Sequence, residues 1–250
     1  MMFTEQQIGD CQLIHGDCLS VLPLLDAVDH IITDPPYEKI MHDSVNGYAG
    51  LRTDGVTSTA GSLGFDSIDG IRDKVTPMMK SLCNGWMLLF CTPEGVAAWR
   101  DAIEAAEAKY KRACVWVKPD AAPQFNGQGP AMGAEMLVTA WCGKGHSKWN
   151  GGGKRGVFTH NTNQPDRDGT HPTEKPLPLM MELVHLFTNP GDTVLDPFMG
   201  SATTGLACMK LGRKFIGIEK DDKFYDLACR RISAMPGSGF RNETPEFVLR

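Results

Sequence analysis

The sequence predicts an α/β protein whose sheet is covered by helices on both faces. Short apolar runs typical of buried strands alternate along the chain with segments of helical periodicity. Two of these runs end abruptly in acidic residues followed by proline, where a ligand-binding turn would begin. The 250 residues, 42% hydrophobic and 22% charged, are typical of one large domain, which we take to span residues 1–250.

The first 37 residues are predicted to form a β-α-β unit. A strand is expected near Cys11 to His15, a helix near Leu19 to Leu25, and a buried strand over Asp29 to Thr33 that stops at two prolines. Residues 38–70 are rich in Gly, Ser, Thr and Asp, so we predict a long mobile loop there. Long loops in compact domains are commonly functional.

The middle of the chain continues the alternation. The predicted strands are Trp86 to Cys91, Ala113 to Val117 and Glu135 to Trp141. Thr92 as N-cap and Pro93 at the first helical position are expected to begin a helix that extends to about Lys109. Residues 143–170 are polar and glycine-rich, which indicates a short insertion that leaves the sheet.

The C-terminal part has the clearest pattern. A helix from Leu177 to Phe187 stops at the turn signal Asn189-Pro190-Gly191. The elements predicted after it are a strand at Thr193 to Leu195, a loop at Asp196 to Ser201, a helix from Ala202 to Leu211, a strand from Lys214 to Ile218 and a helix from about Asp222 to Ala234. This order places the loop at Asp196 to Ser201 at the carboxyl edge of a sheet, where ligands bind.

Residues 196–202 and Glu219 together indicate a nucleoside site. Glu219 lies at the end of a strand, where an acidic side chain can accept hydrogen bonds from both hydroxyls of a ribose. Of a phosphate-binding GxGxxG only Gly200 is present, and Pro197 and Phe198 remove backbone donors and flexibility where a pyrophosphate would lie. An uncharged or cationic nucleoside cofactor therefore fits better than NAD, and an ordinary β-α turn capped by Asp196 is the structural alternative.

The tetrapeptide Asp34-Pro35-Pro36-Tyr37 follows another apolar strand. Consecutive prolines fix the backbone and donate no hydrogen bonds, so nearby carbonyls are presented as pure acceptors. A carboxylate and a rigid carbonyl can accept both hydrogens of an exocyclic amino group, which favours a nucleophilic nitrogen and disperses the positive charge that develops as it attacks a sulfonium methyl. Tyr37 could stack on a base flipped out of a duplex. Read alone, the tetrapeptide is also a common turn.

The charge of the chain is unevenly distributed. The net charge is -5, but the segment from Ala108 to Pro165 has eight basic and two acidic residues. This asymmetry is consistent with a DNA surface or with ordinary solvated faces.

Other composition signals concern location and metals. No run of about 18 apolar residues occurs, and the N-terminus lacks the pattern of a signal peptide, so a cytoplasmic protein is expected. The eight cysteines include no close CxxC pair, which favours reduced, mostly buried thiols and no metal site.

With these motifs in order, the chain resembles the β class of DNA amino-methyltransferases, the N6-adenine/N4-cytosine family with a DPPY motif, over nearly its whole length. The permuted motif order carries the resemblance: Asp34 to Tyr37 first, then a target-recognition region, then His171-Pro172-Thr173-Glu174-Lys175-Pro176, and then the loop at Asp196 to Thr204. The resemblance implies the class I AdoMet-dependent methyltransferase fold, with a mixed sheet of seven strands and an antiparallel last hairpin.

The resemblance also assigns roles to residues. It makes Asp34, Pro35, Pro36 and Tyr37 catalytic, and it places the segment at Asp17 beside the cofactor adenine. The expected AdoMet-binding residues are Asp17, Cys18, Asp34, His171, Thr173, Lys175, Asp196, Pro197, Phe198, Gly200, Ser201, Thr203, Glu219 and Lys220. Where the family usually has Gly after Ser, this chain has Ala202, which disfavours a left-handed backbone by about 1 kcal/mol or more but suits a helix start.

The substrate implied by the resemblance is double-stranded DNA. The family tends to carry Asp first in the catalytic motif for adenine and Ser for cytosine, so Asp34 favours the N6 amino group of adenine. N4-cytosine methylation is the alternative, and a catalytically silent AdoMet- or DNA-binding module is a further one. Cytosine C5 methylation typically takes its thiolate from a Pro-Cys dipeptide, and none occurs here.

The insertion at residues 143–170 is short for target recognition, so the loop at residues 38–70 is expected to share DNA contact. Our candidates for DNA contact are Lys148, Lys154, Arg155 and His160, with a solvated basic loop as the alternative. Members of the family are often dimers, so a homodimer is an expectation carried by the resemblance.

Overall fold

The computed structural model describes residues 3–37, 67–123, 129–163 and 174–235. In these residues nine strands form one mixed sheet. They are β1 (Thr4–Ile8), β2 (Cys11–His15), β3 (His30–Thr33), β4 (Trp86–Cys91), β5 (Lys109–Val117), β6 (Ala134–Trp141), β7 (Val157–Thr159), β8 (Thr193–Asp196) and β9 (Lys214–Glu219). The helices are α1 (Cys18–Val21), α2 (Arg72–Leu82), α3 (Gly95–Ala105), α4 (Leu177–Phe187), α5 (Thr203–Lys210) and α6 (Asp222–Ser233), with 3-10 turns at Leu22–Leu24 and Ile68–Gly70.

The strand order is β1-β2-β9-β8-β3-β4-β6-β5-β7. The five strands from β2 to β4 in this order are mutually parallel, so their carboxyl ends meet at one edge of the sheet. Strand β1 pairs antiparallel with β2, β6 pairs antiparallel with both β4 and β5, and β7 adds parallel to β5. The common edge collects Asp17, Asp34, Asp196 and Glu219, each of which ends or closely follows a parallel strand.

The core lies on both faces of the sheet. Successive residues of a strand point to opposite faces, and the neighbours Ile31 and Ile32 belong to two different hydrophobic clusters. The cluster around Ile32 includes side chains of α4, α5 and α6, whereas the cluster around Ile31 includes side chains of α2 and α3. The predicted α/β arrangement with helices on both faces is therefore confirmed.

The predicted sheet of seven strands needs correction, because nine are present among the described residues. Strand β1 is polar and almost entirely exposed, so it has no hydrophobic alternation by which it could be recognised. Strand β7 has three residues and lies in the predicted insertion, of which residues 143–163 are described. Part of the insertion therefore rejoins the sheet beside β5 instead of leaving it.

Two helix predictions also need correction, and one helix was not predicted. The helix expected to begin at Pro93 begins at Gly95 and ends at Ala105, since Glu107 takes a left-handed φ of 59° and the chain then enters β5. The helix expected from Leu19 to Leu25 is split into α1 and a 3-10 turn, because Pro23 has no N–H to donate to an α-helical bond. Helix α2, which contains Pro77, was not predicted.

The predicted loop at residues 38–70 falls mainly outside the described residues. Residues 67–70 form a 3-10 turn in which Ser67 accepts a hydrogen bond from the backbone N–H of Asp69. No helix in the described parts of the chain is long and apolar enough to cross a membrane.

Candidate active site

A pocket opens at the carboxyl edge of the parallel strands. His171 and Thr173 lie outside the described residues, and every other predicted cofactor-binding residue lines this pocket. Those residues are Asp17, Cys18, Asp34, Lys175, Asp196, Pro197, Phe198, Gly200, Ser201, Thr203, Glu219 and Lys220. The tetrapeptide Asp34 to Tyr37, which is predicted to be catalytic, lines the same pocket, since Pro35, Pro36 and Tyr37 are also part of its wall. Segments that are distant in the sequence therefore meet at one site.

Several lining residues were not singled out from the sequence. They are Leu19, Ile71, Glu174, Met180, Met199, Thr204, Ile218 and Phe224. Most are apolar and supply the hydrophobic surface that a nucleoside base requires. Glu174 is different, because it is charged and lies between Thr173 and Lys175 of the His171 to Pro176 motif.

Asp196 anchors the loop between β8 and α5. Its carboxylate accepts hydrogen bonds from the Thr33 hydroxyl at 2.5 Å, the Thr204 hydroxyl at 2.8 Å and the Phe198 backbone N–H at 3.1 Å. Burial raises the pKa of this carboxyl to about 7, against the effect of the three donors. Asp196 therefore ties β3, β8 and α5 together at the base of the pocket.

The turn before α5 contradicts one sequence expectation. Ala202 was expected to start the helix, but it adopts the left-handed conformation with φ 60° and ψ 37°, and the helix begins at Thr203. A left-handed alanine costs roughly 1–2 kcal/mol. The side chain of Ala202 is fully buried, and burying a methyl group contributes about 0.8 kcal/mol. Packing therefore offsets much of the cost of a non-glycine residue here.

Glu219 is buried at the end of β9 and joins two loops. Its Oε2 accepts a hydrogen bond from the Gly200 N–H at 3.0 Å, and its Oε1 accepts one from the Asp221 N–H at 2.8 Å. Burial raises the pKa of the Glu219 carboxyl, although these backbone donors oppose the rise. Each carboxylate oxygen has a second lone pair, so both can still accept a hydrogen bond from a ribose hydroxyl.

The side chain of Lys175 holds the carboxylate of Asp34. Its ammonium donates to Oδ2 of Asp34 at 2.5 Å and to the Tyr37 hydroxyl oxygen at 2.9 Å. Oδ1 of Asp34 is buried and has no hydrogen-bond partner among the described residues. Burial raises the pKa of Asp34, and the charge of Lys175 lowers it. Asp34 therefore has one oxygen that is fixed and one that is left for a ligand.

Glu135 of β6 completes this network and was not predicted. The Tyr37 hydroxyl donates to Oε2 of Glu135 at 2.6 Å, and Lys175 lies 3.4 Å from the same oxygen. Lys118 forms an ion pair with Oε1 of Glu135. Burial raises the pKa of Tyr37 well above its ordinary value, so the phenol stays neutral. Glu135 and Lys175 therefore fix the Tyr37 hydroxyl, and Lys118 supports Glu135, so the ring is held beside Asp34.

The charges of the pocket favour a cationic ligand. Five lining residues are acidic and two are lysines: Asp17, Asp34, Glu174, Asp196 and Glu219, with Lys175 and Lys220. An acidic wall of this kind disfavours the phosphates of a dinucleotide and favours a positively charged group. AdoMet fits this pocket, because its sulfonium and ammonium groups are complementary to the acidic wall. Its ribose hydroxyls are suited to the carboxylate of Glu219 at the end of β9.

Known proteins match the chain over the same region. The N6/N4 family model, described as DNA methylase, matches residues 28–230. The chain belongs to this DNA methylase family. The Type II methyltransferase M.Cfr9I of Citrobacter freundii is 28% identical to it, over 90% of this chain and 89% of the relative. The Type II methyltransferase M.XycI of Xanthomonas campestris pv. cyanopsidis is 29% identical, over 92% of this chain and 90% of the relative.

Solved structures extend the comparison. The M1.HpyAVI-SAM complex is similar with a TM-score of 0.67 and 28% identity, over 89% of this chain and 98% of that one. PvuII DNA methyltransferase, described as cytosine-N4-specific, has a TM-score of 0.68 but 15% identity, over 92% of this chain and 88% of that one, and shows the fold alone. The class I methyltransferase fold is thus confirmed, and AdoMet is confirmed as the cofactor of the family.

The predicted DNA contacts of this methylase lie apart from the pocket lining. Lys154 forms an ion pair with Glu182 of α4, and Nε2 of His160 lies 2.6 Å from the same carboxylate, so both side chains have a partner within the protein. Lys148 and Arg155 have exposed side chains, and the backbone carbonyl of Lys148 accepts a hydrogen bond from the Trp86 indole. DNA contact by these four residues stays a prediction, as does the homodimer.

Proposed function

We propose that this DNA methylase transfers the methyl group of AdoMet to the N6 amino group of adenine in double-stranded DNA. The observation that carries the proposal is the geometry of Asp34. Its Oδ2 is held by Lys175, and its buried Oδ1 has no partner among the described residues. A buried acceptor that is left unpaired costs free energy until a ligand supplies a donor. An exocyclic amino group of a flipped base is such a donor.

The pocket lining supports a division of labour in cofactor binding. Glu219 would accept hydrogen bonds from the ribose hydroxyls, and Asp17, Cys18 and Phe198 would surround the adenine. Lys175 lies in the pocket wall beside Asp34, and its ammonium already pairs with the carboxylate of Asp34. Its main role would therefore be to orient the catalytic carboxylate. When bound, AdoMet supplies an electrophilic methyl group on a sulfonium centre.

Asp34 would act on the target amine in two ways. Oδ1 accepts one amino hydrogen, which favours the tetrahedral geometry in which the nitrogen lone pair can form the bond to the methyl carbon as the carbon–sulfur bond breaks. The negative carboxylate stabilises the positive charge that grows on the nitrogen, and the surplus proton then passes to Asp34 or to water. Tyr37, whose hydroxyl is fixed by Glu135, supplies a ring on which the flipped base can stack.

Adenine is favoured over cytosine because the first position of the catalytic motif is Asp34 instead of serine. Both target amines demand the same arrangement of acceptors, so geometry alone does not separate them. The preference rests on the resemblance to enzymes with the DPPY form of the motif.

The decisive experiment is to incubate the protein with unmethylated DNA and AdoMet, digest the DNA to nucleosides and analyse them by mass spectrometry. We expect N6-methyladenine, and no product with the variant Asp34→Ala. N4-methylcytosine in place of N6-methyladenine would overturn the choice of base. Absence of both products on DNA of many sequences would overturn methylation and favour a silent binding module.

A further inference from the structure

We propose that Glu174 forms a subsite for the α-ammonium group of the cofactor's methionyl moiety. This inference rests on the proposed function, because it takes the pocket as the AdoMet site. The resemblance implied cofactor contacts for Thr173 and Lys175 but gave no role to Glu174, which lies between them.

The carboxylate of Glu174 is buried but only half satisfied. Its side chain is 5% exposed, and Glu174 lines the pocket. Oε1 pairs with the Arg231 guanidinium and lies 3.3 Å from the Thr203 hydroxyl, which donates to it. Oε2 is buried without a hydrogen-bond partner in the described part of the chain. Because a buried carboxylate oxygen without a donor is unfavourable, this atom is suited to a donor that arrives with a ligand.

Arg231 acts as a fixed support for Glu174. Its guanidinium also donates to the Ser201 carbonyl at 2.8 Å and lies 3.4 Å from the Thr203 hydroxyl. These contacts tie Arg231 to the loop before α5, so it holds Oε1 and leaves Oε2 open. A second cation at Oε2 would complete the hydrogen bonds of the carboxylate.

The position of Glu174 identifies which part of the cofactor it meets. Glu219 marks the ribose end of the pocket, and Asp34 marks the reacting end. Glu174 contacts Thr203 at the start of α5 and is the chain neighbour of Lys175, whose ammonium holds Asp34. It therefore lies beside the reacting end. In AdoMet the methionyl chain is attached to the sulfur, so it would begin at this end of the pocket. The α-ammonium group is the cationic hydrogen-bond donor of that chain. The negative charge of Glu174 would repel the methionyl carboxylate and so orient the amino-acid end.

The test compares two neutral-sulfur ligands on the intact protein by calorimetry. One is S-adenosylhomocysteine, and the other is its analogue with hydrogen in place of the α-amino group. The wild-type protein should bind S-adenosylhomocysteine at least about tenfold more tightly, as expected for a charge-assisted hydrogen bond. In Glu174→Gln this discrimination should fall below about threefold, because a neutral amide no longer attracts the ammonium. Glu182→Gln, which alters another glutamate that forms ion pairs, should keep the wild-type discrimination.

Each other outcome is decisive. Equal binding of the two ligands by the wild-type protein overturns the ammonium subsite, and this comparison needs no variant to fold. Equal weakening of both ligands in Glu174→Gln, with discrimination unchanged, indicates a purely structural role and also overturns it. Selective weakening of AdoMet, with S-adenosylhomocysteine unaffected, would assign Glu174 to the sulfonium instead. If the wild-type protein binds none of the three ligands, the proposed function fails, and this inference fails with it.

Discussion

The ammonium of Lys175 donates a hydrogen bond to Oδ2 of Asp34, and Oδ1 of the same carboxylate is left without a partner among the described residues. This asymmetry separates two tasks within one side chain. One oxygen anchors the carboxylate, and under the proposed function the other accepts a hydrogen bond from the target amine. The sequence resemblance had suggested a cofactor contact for Lys175, whereas its contacts indicate that it orients Asp34 and lowers the pKa of that carboxyl.

Replacement of Asp34 by alanine should abolish methylation and leave AdoMet binding nearly intact. The variant loses the acceptor for the target amine and the charge that stabilises the transition state. Methyl transfer from labelled AdoMet to DNA measures the first effect, and calorimetry measures the second. Asp101→Ala, which removes an exposed carboxylate, is the matched control and should retain activity. Full activity of Asp34→Ala would contradict the assigned role.

Replacement of Lys175 by methionine should shift the pH dependence of kcat to higher pH. Burial raises the pKa of Asp34 and Lys175 lowers it, so removal of the ammonium raises that pKa further. A smaller fraction of Asp34 is then ionised at neutral pH, so kcat at pH 7 should fall by on the order of tenfold and recover as the pH rises.

The control for this variant is Lys118→Met, which removes the more distant ammonium of the network. The charge of Lys118 is the smaller influence on Asp34, so its removal should shift the profile less. A Lys175→Met profile that is lower at every pH but unshifted would contradict the role of Lys175 in holding Asp34 ionised.

Tyr37→Phe and Glu135→Gln should affect kcat in a non-additive way. The hydroxyl of Tyr37 donates to Oε2 of Glu135 at 2.6 Å, so Tyr37→Phe removes the contact that fixes the ring. Glu135→Gln weakens it, because the neutral amide has one carbonyl oxygen to share among Tyr37, Lys118 and Lys175. The phenylalanine ring can still stack on a base, so each single variant should be impaired but active. A double-mutant cycle on kcat should give a coupling of about 1–2 kcal/mol. Strictly additive effects would show that the contact is not used in catalysis.

The sequence predicts best what is local along the chain. The loops at Asp34 and Asp196 could be placed because each follows a short apolar strand, and parallel strands present their carboxyl ends at one edge. The helix from Leu177 to Phe187 was predicted with its observed bounds, since its apolar face and its proline-glycine stop lie within one segment. The roles of Asp34 and Glu219 were argued from the residues themselves, and the resemblance to a family supplied the other assignments within the site.

Interactions between distant segments could not be predicted in the same way. Glu135 meets Tyr37 because β6 pairs antiparallel with β4, which pairs with β3, and no local pattern encodes that order. A single acidic residue at the start of an apolar strand was the available signal. At Ala202 a local preference gave the wrong prediction. Alanine favours a helix start, but the turn before α5 requires a left-handed backbone at this position.

Replacement of Glu219 by alanine should weaken AdoMet binding by about 1–3 kcal/mol, because charge-assisted hydrogen bonds to the ribose are lost. Glu219→Gln should retain part of the affinity. Its single carbonyl oxygen can accept from only one of the N–H groups of Gly200 and Asp221. Calorimetry gives both dissociation constants, and Asp222→Ala, at an exposed side chain, is the control. A dissociation constant that is unchanged in Glu219→Ala would reject the ribose assignment.

The stability of the unliganded protein should fall as the pH rises from about 4 toward 7, because of Asp196. Burial raises the pKa of this carboxyl to about 7 in the folded protein, whereas an unfolded chain has an ordinary value near 4. The folded state therefore holds the proton more tightly. The contribution of Asp196 to the free energy of unfolding is fully present below its pKa in the unfolded chain. It is lost as the pH rises through its pKa in the folded protein. A shift of this size corresponds to up to about 4 kcal/mol.

Urea unfolding between pH 4 and pH 8 measures this dependence, and Asp196→Asn supplies the comparison. Asparagine does not titrate and keeps one carbonyl oxygen, which can accept from the Thr33 hydroxyl, while its NH2 group faces Thr204 in place of Oδ2. The variant should therefore lose the component of the pH dependence that is due to Asp196. Its stability relative to the wild-type protein should therefore improve as the pH rises. If the difference between the two proteins is constant over this range, Asp196 does not change its proton affinity on folding, and its three hydrogen-bond donors balance the effect of burial.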